Sequence, residues 1–431
     1  MSLRIAWATP WNERSSIAKD FSAGIVRELM ERGHEVRILR TETGDAKRFP
    51  AIGLPVQVDF WDSVNAYALG DTSDVVAVNF GDYYPFHGAV LPEFAGAGVV
   101  GIFHDFFLSG LISEWAKEGR FTESFLPQLI ETTYGAEEWQ RNKSFWLDTE
   151  SMAKRRPLTE WLAGNVIACV AHARHYVGRL EGECPGPVKE IPLCELYDHL
   201  PPVQGRPDGQ MTIATIGHQN RNKLADRVIA VIGKDGRLRK TYRYKLIGPI
   251  DKVYKAELER LASGYGVSLE CTGWVSDEDL RRHLAGVHVM ACLRNPVLEG
   301  ASGSLLLALQ SGRPTLVSDH GVYAEIPDDM VFACTPGDEE RDVREHLGHI
   351  MDDYTGSIGT GARAQAFSRA FHAPKRYVDE LIPFLHEAIS ARPAIMTARS
   401  VGNVLSTFGL DIKNPAIERV GKIMDDFLGR G

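Results

Sequence analysis

Residues 293–319 read LRNPVLEGASGSLLLALQSGRPTLVSD, and this stretch decides the fold class of the chain. The apolar run before it, residues 287–292, and residues 315–318 near its end both predict buried strands. Between them, the small residues 300–304 lead into an apolar helix body at 305–309. This β-loop-α-β order puts the turn at the carboxyl edge of a parallel sheet, where open α/β sheets bind their ligands. Free backbone N–H groups at such a helix start attract phosphate.

The same alternation of strands and helices runs through both halves of the chain. In the first half, apolar runs predict strands at 4–9, 35–39, 75–78, 98–103 and 166–170, and helical spacing predicts a helix at 17–30. In the second half, runs at 211–216, 244–248 and 267–270 precede the two strands that flank the turn. The fold class is therefore α/β, with two doubly wound Rossmann-like domains.

The domain boundary is predicted at residues 197–209, which are rich in Pro, Gly and polar residues as linkers are. We expect residues 1–200 to form the first domain, with a helical, aromatic insertion at 106–162. Residues 209–373 form the second domain, and residues 374–431 carry only helical patterns.

Size and composition narrow the function classes. A chain of 431 residues is too long for one ordinary core, and its net charge of −9 argues against nonspecific nucleic-acid binding. The six cysteines show no C-x-x-C pairing, so reduced structural thiols are expected rather than disulfides or zinc ligands. No signal peptide and no run of ~18 apolar residues is visible, which predicts a cytoplasmic protein.

Residues 299–319 resemble the donor-site signature of glycosyltransferase family 4, in which a Glu, a Gly-rich turn and a helix precede a G-x-P-x-x-x-S-D segment, here residues 312–319. A subset with a G-E-x-S-G-S turn is closer still. The resemblance implies the GT-B fold, with a nucleotide sugar on the second domain, the acceptor on the first and the reaction in the cleft between them. It implies that Glu299 contacts the donor sugar. The family's second Glu, which holds the ribose, is Leu307 here.

Further donor contacts follow from the same resemblance. Residues 217–223 are similar to the family's Gly-to-Lys loop that grips the diphosphate, so Lys223 is the expected charge partner. The usual Arg of that loop is missing; His218 or Arg221 could replace it. The turn amides of three residues should bind the phosphates: Ser302, Gly303 and Ser304.

Residues 271–280 match the family's G-x-V-S segment, whose backbone reads the nucleobase, here at Trp274 and Val275. Residues 277–279 also spell D-x-D, a metal-nucleotide motif of the other large glycosyltransferase fold. Because they follow the predicted N-cap Ser276, carboxylates on a first helical turn explain them better. The sequence therefore predicts no metal and no cofactor.

In the first domain, His104 ends a predicted strand, and the family's H-D pair lies beside the reacting sugar. Asn79 and His87 resemble an N-x-P-x-x-H-like element of family members and would lie near the same face. Residues 12–18 resemble the family's S-G-I-A turn, in which small residues approach the donor phosphate; Ser16 replaces the Gly.

The resemblance therefore implies a metal-independent, retaining glycosyltransferase that moves a sugar from a nucleotide-sugar donor to a glycan, glycolipid or other glycoconjugate acceptor in polysaccharide assembly. Two basic runs, residues 237–245 and 154–156, could also hold the protein on an anionic membrane.

The main alternative is a catalytically silent GT-B protein that binds a nucleotide or glycan and supports a partner enzyme. A serine-hydrolase elbow at residues 300–304 is disfavoured, since residues 293–299 separate it from the preceding strand.

Overall fold

In the computed structural model, which describes residues 2–119, 121–408, 415, 417 and 419–422, the chain forms two parallel sheets. The first sheet has the order β3-β2-β1-β4-β5-β6-β7 and the second the order β10-β9-β8-β11-β12-β13, numbered along the chain. The strands of the first sheet are Arg4–Thr9 (β1), Glu35–Arg40 (β2), Gln57–Phe60 (β3), Val75–Phe80 (β4), Val100–Phe103 (β5), Ala168–Ala171 (β6) and Val188–Glu190 (β7). Those of the second are Met211–Ile216 (β8), Tyr242–Ile247 (β9), Leu269–Cys271 (β10), Val289–Cys292 (β11), Thr315–Ser318 (β12) and Phe332–Cys334 (β13).

The helices of the first domain connect these strands and also form the insertion. They are Ala23–Glu31 (α1), Leu69–Thr72 (α2), Tyr84–His87 (α3), Phe94–Ala97 (α4), Ser109–Glu118 (α5), Phe125–Tyr134 (α6), Ala136–Asn142 (α7), Thr149–Arg155 (α8), Thr159–Gly164 (α9) and Val177–Glu181 (α10). Helices α5 to α9 occupy the region between β5 and β6, where the sequence predicts a helical aromatic insertion. A π-helical segment, Ile17–Ser22, precedes α1.

The second domain and the C-terminal region hold the remaining helices. They are Ala225–Lys234 (α11), Gly236–Thr241 (α12), Lys252–Tyr265 (α13), Asp277–Ala285 (α14), Gly303–Gln310 (α15), Glu339–Asp352 (α16), Tyr354–Phe371 (α17) and Pro374–Thr407 (α18). Short 3-10 helices occur at Gly44–Arg48, Trp61–Ser63, Ala66–Ala68, Gly88–Val90, Arg174–Tyr176, Arg221–Lys223, Gly321–Glu325 and Asp328–Met330. Of the predicted C-terminal helices, residues 409–414, 416, 418 and 423–431 lie outside the described residues.

Both sheets are covered on both faces, which is why their central strands read as continuous apolar runs. The pairing is parallel throughout the described strands, for example Ile5 with Val36 and Met290 with Thr315. The two doubly wound domains and the helical C-terminal region confirm the predicted fold class. Three short edge strands, β3, β7 and β13, were not predicted; β3 and β7 mix apolar with polar or charged residues, and β13 lies in a short apolar run, residues 330–334.

Helix α18 returns from the second domain to the first. Its side chains, among them Tyr377, Phe384 and Ile395, lie in the same apolar core as Trp7 and Phe21. Within the described part of the chain, no helix is both long and apolar enough to cross a membrane.

Candidate functional site

A cavity of about 640 Å³ lies in the cleft between the two domains. Its walls come from the start of the π-helical segment, the connector after β7, the loop after β8, the start of α14 and the turn before α15. The lining includes Ser16, Lys19, Asp20, Tyr197, Gly217, His218, Asn220, Lys223, Asp277, Arg281, Arg294, Glu299, Ser302, Gly303, Ser304 and Leu307. The carboxyl edges of both sheets therefore face one ligand-sized space.

The start of helix α15 opens into this cavity. Ser302 is the N-cap: its Oγ accepts a hydrogen bond from the Leu305 amide (3.3 Å) and another from the Tyr323 hydroxyl (3.0 Å). The amides of Gly303 and Ser304 have no acceptor among the residues that the structure describes. Because the helix body behind them is buried, these two N–H groups and the helix dipole are held at a fixed place facing the cavity.

Glu299 is held by a buried arginine that the sequence analysis did not identify. Arg294 is 2% exposed, and its Nε donates to Glu299 Oε1 at 2.7 Å while a terminal nitrogen donates to Ser304 Oγ at 3.1 Å. Burial by itself raises the pKa of Glu299, but the charge and hydrogen bond of Arg294 outweigh it and keep that pKa below its ordinary value. Glu299 is therefore an ionised carboxylate whose position is fixed by the guanidinium.

Lys223 lies on the opposite side of the same cluster and is 5% exposed. Its Nζ donates to the Ile216 carbonyl at 2.6 Å, and Gly217, at φ 90°, leaves room for it, since a Cβ there would be 2.9 Å from Nζ. Among the described residues it has no carboxylate within 4 Å. Burial, and then the positive charge of Arg294, lower the pKa of Lys223 well below its ordinary value.

The charges around the turn do not balance. Arg294 and the amine of Lys223 are two basic groups, whereas Glu299 is the carboxylate that pairs with Arg294, and the free amides of α15 add partial positive charge. The site is thus built to receive an anion next to a fixed carboxylate.

Two acidic side chains lie near the turn: Asp20 lines the cavity, and Glu195 is buried behind the lining. Burial raises the pKa of Asp20 to about 6, and burial followed by the charge of Asp20 raises the pKa of Glu195 to about 8. Glu195 accepts a hydrogen bond of 2.5 Å from the Tyr197 hydroxyl and lies against Gly303, where a Cβ would be 2.7 Å from its Oε2. Sequence reasoning missed Glu195, since it lies in a connector that carries no motif.

Lys19 joins the two domains across the cavity. Its Nζ lies 2.9 Å from both carboxylate oxygens of Asp277, which belongs to the first turn of α14. The domains also meet through backbone contacts, in which Asp105 pairs with Glu299 as a β-bridge and the Phe107 amide donates to the Leu298 carbonyl at 3.0 Å.

The structure brings together most of the predicted donor residues but not all of them. Ser16 and His218 line the cavity with Lys223, Glu299 and the turn. Trp274 is 76% exposed and Val275 packs on the apolar core, and neither lines the cavity.

The His104 side chain faces the core of the first domain. Its Nε2 lies 2.9 Å from Asn79 Oδ1, its ring packs 4.7 Å from that of Phe21, and burial lowers its pKa well below the ordinary value. The predicted neighbour His87 is buried as well, with Nδ1 at 2.9 Å from the Asn79 carbonyl. The backbone of His104 nevertheless lies close to the turn, since its carbonyl oxygen would be 3.2 Å from a Cβ on Gly300.

The D-x-D residues begin a helix, as the sequence predicts. Ser276 is the N-cap of α14 and accepts a hydrogen bond from the Asp279 amide at 3.1 Å, while Asp279 also pairs with Arg282. Across the described ranges no group of three or more His, Cys, Asp or Glu side chains is arranged to hold a metal ion.

Both basic runs are largely engaged within the protein. Arg155 and Arg156 both pair with Glu138, and Arg156 is fully buried; in the other run, Arg237 pairs with Asp352. Membrane contact through these runs stays a prediction.

The comparisons with known proteins bear on the second domain and on the fold. Residues 210–353 match the family model for glycosyl transferases group 1. That segment contains Lys223, Arg294, Glu299 and the start of α15. No curated protein matches the chain.

Several solved structures share the architecture of most of the chain. Sucrose-phosphate synthase from Thermosynechococcus elongatus is 13% identical with a TM-score of 0.58, and the match covers 90% of this chain and 99% of that one. HepE from Anabaena, in complex with UDP-glucose, is 11% identical with a TM-score of 0.58, covering 89% and 99%. WaaG, a glycosyltransferase involved in lipopolysaccharide biosynthesis, is 15% identical with a TM-score of 0.52, covering 87% and 99%. At these identities the likeness establishes the shared GT-B fold.

Proposed function

We propose that the chain is a metal-independent, retaining glycosyltransferase that takes a sugar from a nucleotide-sugar donor and transfers it to a glycan, glycolipid or other glycoconjugate acceptor in polysaccharide assembly. The observation that carries the proposal is the cluster in the cleft, where Lys223 and the free amides of Gly303 and Ser304 line the same cavity as Glu299, whose carboxylate is fixed by Arg294.

The diphosphate and the sugar of a donor each have matching polar groups in the site. The diphosphate lies against the amides of Gly303 and Ser304, with its charge countered by Lys223. The Glu299 carboxylate, held from behind by Arg294, accepts hydrogen bonds from hydroxyls of the sugar. A sugar at Glu299 and a diphosphate at Lys223 would then be neighbours, as they are in a nucleotide sugar.

The chemistry follows from this arrangement. As the glycosidic bond breaks through an oxocarbenium-like state, negative charge grows on the leaving diphosphate. Fixed donors in a cleft stabilise that charge without reorganising, and each is worth on the order of a few kcal/mol. The departing phosphate oxygen takes the proton of the acceptor hydroxyl, so that no strong protein nucleophile is needed.

Two findings support the donor class. The match to the glycosyl transferases group 1 model covers the segment that carries the cluster, and the similar structure of HepE holds UDP-glucose. The choice of UDP over other nucleotides is left to experiment.

Leu307 supports a second candidate function, a catalytically silent protein that binds a nucleotide or glycan. It is buried and lines the cavity at the position where the family resemblance implies a ribose-binding Glu. An apolar side chain cannot accept the hydrogen bonds of a ribose, so nucleotide binding that survives without turnover is the signature of this candidate.

The test combines binding with turnover. Thermal unfolding is measured with UDP-, GDP-, ADP- and dTDP-glucose, and a donor at 100 times its Kd should stabilise the protein by about 2.7 kcal/mol. Donor hydrolysis is then measured for the wild type, for Glu299→Gln and for the control Glu278→Gln, whose side chain is exposed on α14. We expect Glu299→Gln, verified as folded by circular dichroism, to lose at least 100-fold in kcat and the control to keep its activity.

The outcomes separate the two candidates. Stabilisation without hydrolysis or transfer by the wild type would favour the silent protein. If none of the four donors shifts the unfolding temperature, the proposed function is wrong.

A further inference from the structure

A second large cavity lies in the first domain, at the carboxyl ends of β2 and β4. It has a volume of about 760 Å³ and is bounded by the 3-10 helix Gly44–Arg48, by α3 and by α5. Its walls carry five aromatic side chains: Phe49, Tyr83, Tyr84, Phe86 and Trp115. We refer to this space as the aromatic groove.

The rings of the groove are held in place by one another. Tyr83 meets Phe86 edge to face at 4.9 Å, Phe86 meets Phe49 in the same way at 6.4 Å, and the Arg14 guanidinium lies 4.2 Å above the Phe49 ring. Tyr83 is nonetheless 58% exposed. A large aromatic side chain fixed by its neighbours yet open to solvent is a preformed stacking surface.

The groove adjoins the cleft through a smaller cavity that shares wall residues with both. A smaller cavity of about 220 Å³ shares Arg14, Tyr83 and Phe86 with the aromatic groove, and it shares Ser16 with the cavity that holds Lys223 and Glu299. The three cavities therefore follow one another, with the smaller one between the aromatic groove and the cleft.

The polar groups of this path are mainly acidic. The groove carries Glu118 and Asp45, which pairs with Arg48, and the smaller cavity adds Asp82 and Asp105, each of which accepts one backbone hydrogen bond, against the single guanidinium of Arg14. Carboxyl groups accept hydrogen bonds from hydroxyls but repel phosphates, sulfates and uronic acids. Aromatic faces bounded by carboxyl groups suit a ligand with apolar ring faces and many hydroxyls, which is a neutral saccharide.

We infer that the aromatic groove binds the acceptor, and that this acceptor is an uncharged oligosaccharide of at least two rings stacked on Tyr83. The groove is larger than the 640 Å³ cavity assigned to the nucleotide sugar, so one hexose would fill only part of it. The assignment of the aromatic groove to the acceptor rests on the proposed function, whereas its binding of a saccharide does not depend on that function.

The experiment measures binding to the full chain without nucleotide, by saturation-transfer NMR and titration calorimetry. The neutral probes are maltotriose, cellotriose and chitotriose; the anionic probe is trigalacturonate; the lipid probe is a phosphatidylglycerol vesicle. We expect at least one neutral trisaccharide to bind and Tyr83→Ala to weaken it at least tenfold. Tyr83→Phe, which keeps the ring, should retain most of the affinity.

The matched control is Tyr67→Ala, since Tyr67 is similarly exposed in the same domain and lines neither cavity. It should bind as the wild type does. The inference is overturned if no neutral trisaccharide binds, if Tyr83→Ala binds like the control, or if trigalacturonate or the vesicle binds in preference. Donor binding is measured apart, so saccharide binding without any donor shift would refute the transferase and leave the saccharide groove standing.

Discussion

Replacing Lys223 by Met should stabilise the free protein while weakening its hold on the donor. Lys223 is buried with one hydrogen bond, to the Ile216 carbonyl, and has Arg294 as a like-charged neighbour. Met has a similar length and no charge to desolvate. Higher stability combined with weaker donor binding is expected when a side chain serves ligand binding rather than the stability of the fold.

The magnitude follows from two opposing contributions. Relief of the desolvation of a buried ion is worth several kcal/mol, and loss of a charged hydrogen bond costs about 1.5–3 kcal/mol. We expect a net gain of about 1–2 kcal/mol, which corresponds to a rise of about 2–8 °C in Tm for a domain of this size. The same lost contact should weaken donor binding roughly 10- to 150-fold.

The pH dependence gives a further signature. Because the folded-state pKa of Lys223 is lowered, the cost of burying its charge is fully present below that pKa and disappears as pH rises to the unfolded value near ~10.4. The advantage of Lys223→Met should therefore be larger at pH 7 than at pH 10.

Urea unfolding at pH 7 and pH 10, and the donor-induced shift of Tm, measure both effects. Lys252→Met, an exposed lysine at the start of α13, is the control and should change neither. A variant that unfolds more easily than the wild type yet keeps the full donor shift would refute this reasoning.

Two further variants probe the other charges of the cleft. Glu299→Gln leaves the buried Arg294 without its counter-ion and should lower the free energy of unfolding by about 2–3 kcal/mol. The loss is smaller than for a fully buried pair because the Glu299 side chain is 23% exposed. A loss below about 0.5 kcal/mol in urea unfolding would contradict the role of the pair. Glu195→Gln removes a carboxyl whose folded-state pKa is raised to about 8, so that its favourable contribution is complete below pH ~4.5 and is lost as pH rises through 8. The variant should thus gain stability relative to the wild type between pH 5 and pH 8.5, and urea midpoints that run parallel over this range would show that the carboxyl is not protonated.

Much of the fold could be predicted from the sequence, because the buried strands of a parallel sheet are continuous apolar runs. The strands Arg4–Thr9, Met211–Ile216 and Thr315–Ser318 have the bounds that the pattern predicts. The N-cap at Ser276 could be predicted too, since that role depends on neighbours in sequence.

The site could be predicted only in part from the sequence, because the residues that contact one another there come from distant segments. Arg294 precedes Glu299 by five residues, yet its importance depends on burial and on Ser304, which local pattern does not reveal. The inward orientation of His104 depends on Asn79 and Phe21 from two other elements. The resemblance predicted which backbone positions lie near the cleft better than it predicted which way their side chains point.

The return of α18 to the first domain also sets an order for biosynthesis. Trp7 and Phe21 complete their packing only against residues as far along the chain as Ile395. At about 5–20 residues per second, the ribosome needs roughly 10–40 s to make the intervening second domain after residue 200. During that interval one face of the earlier domain stays uncovered, so the newborn chain depends on chaperones or on its own C-terminal helix arriving in time.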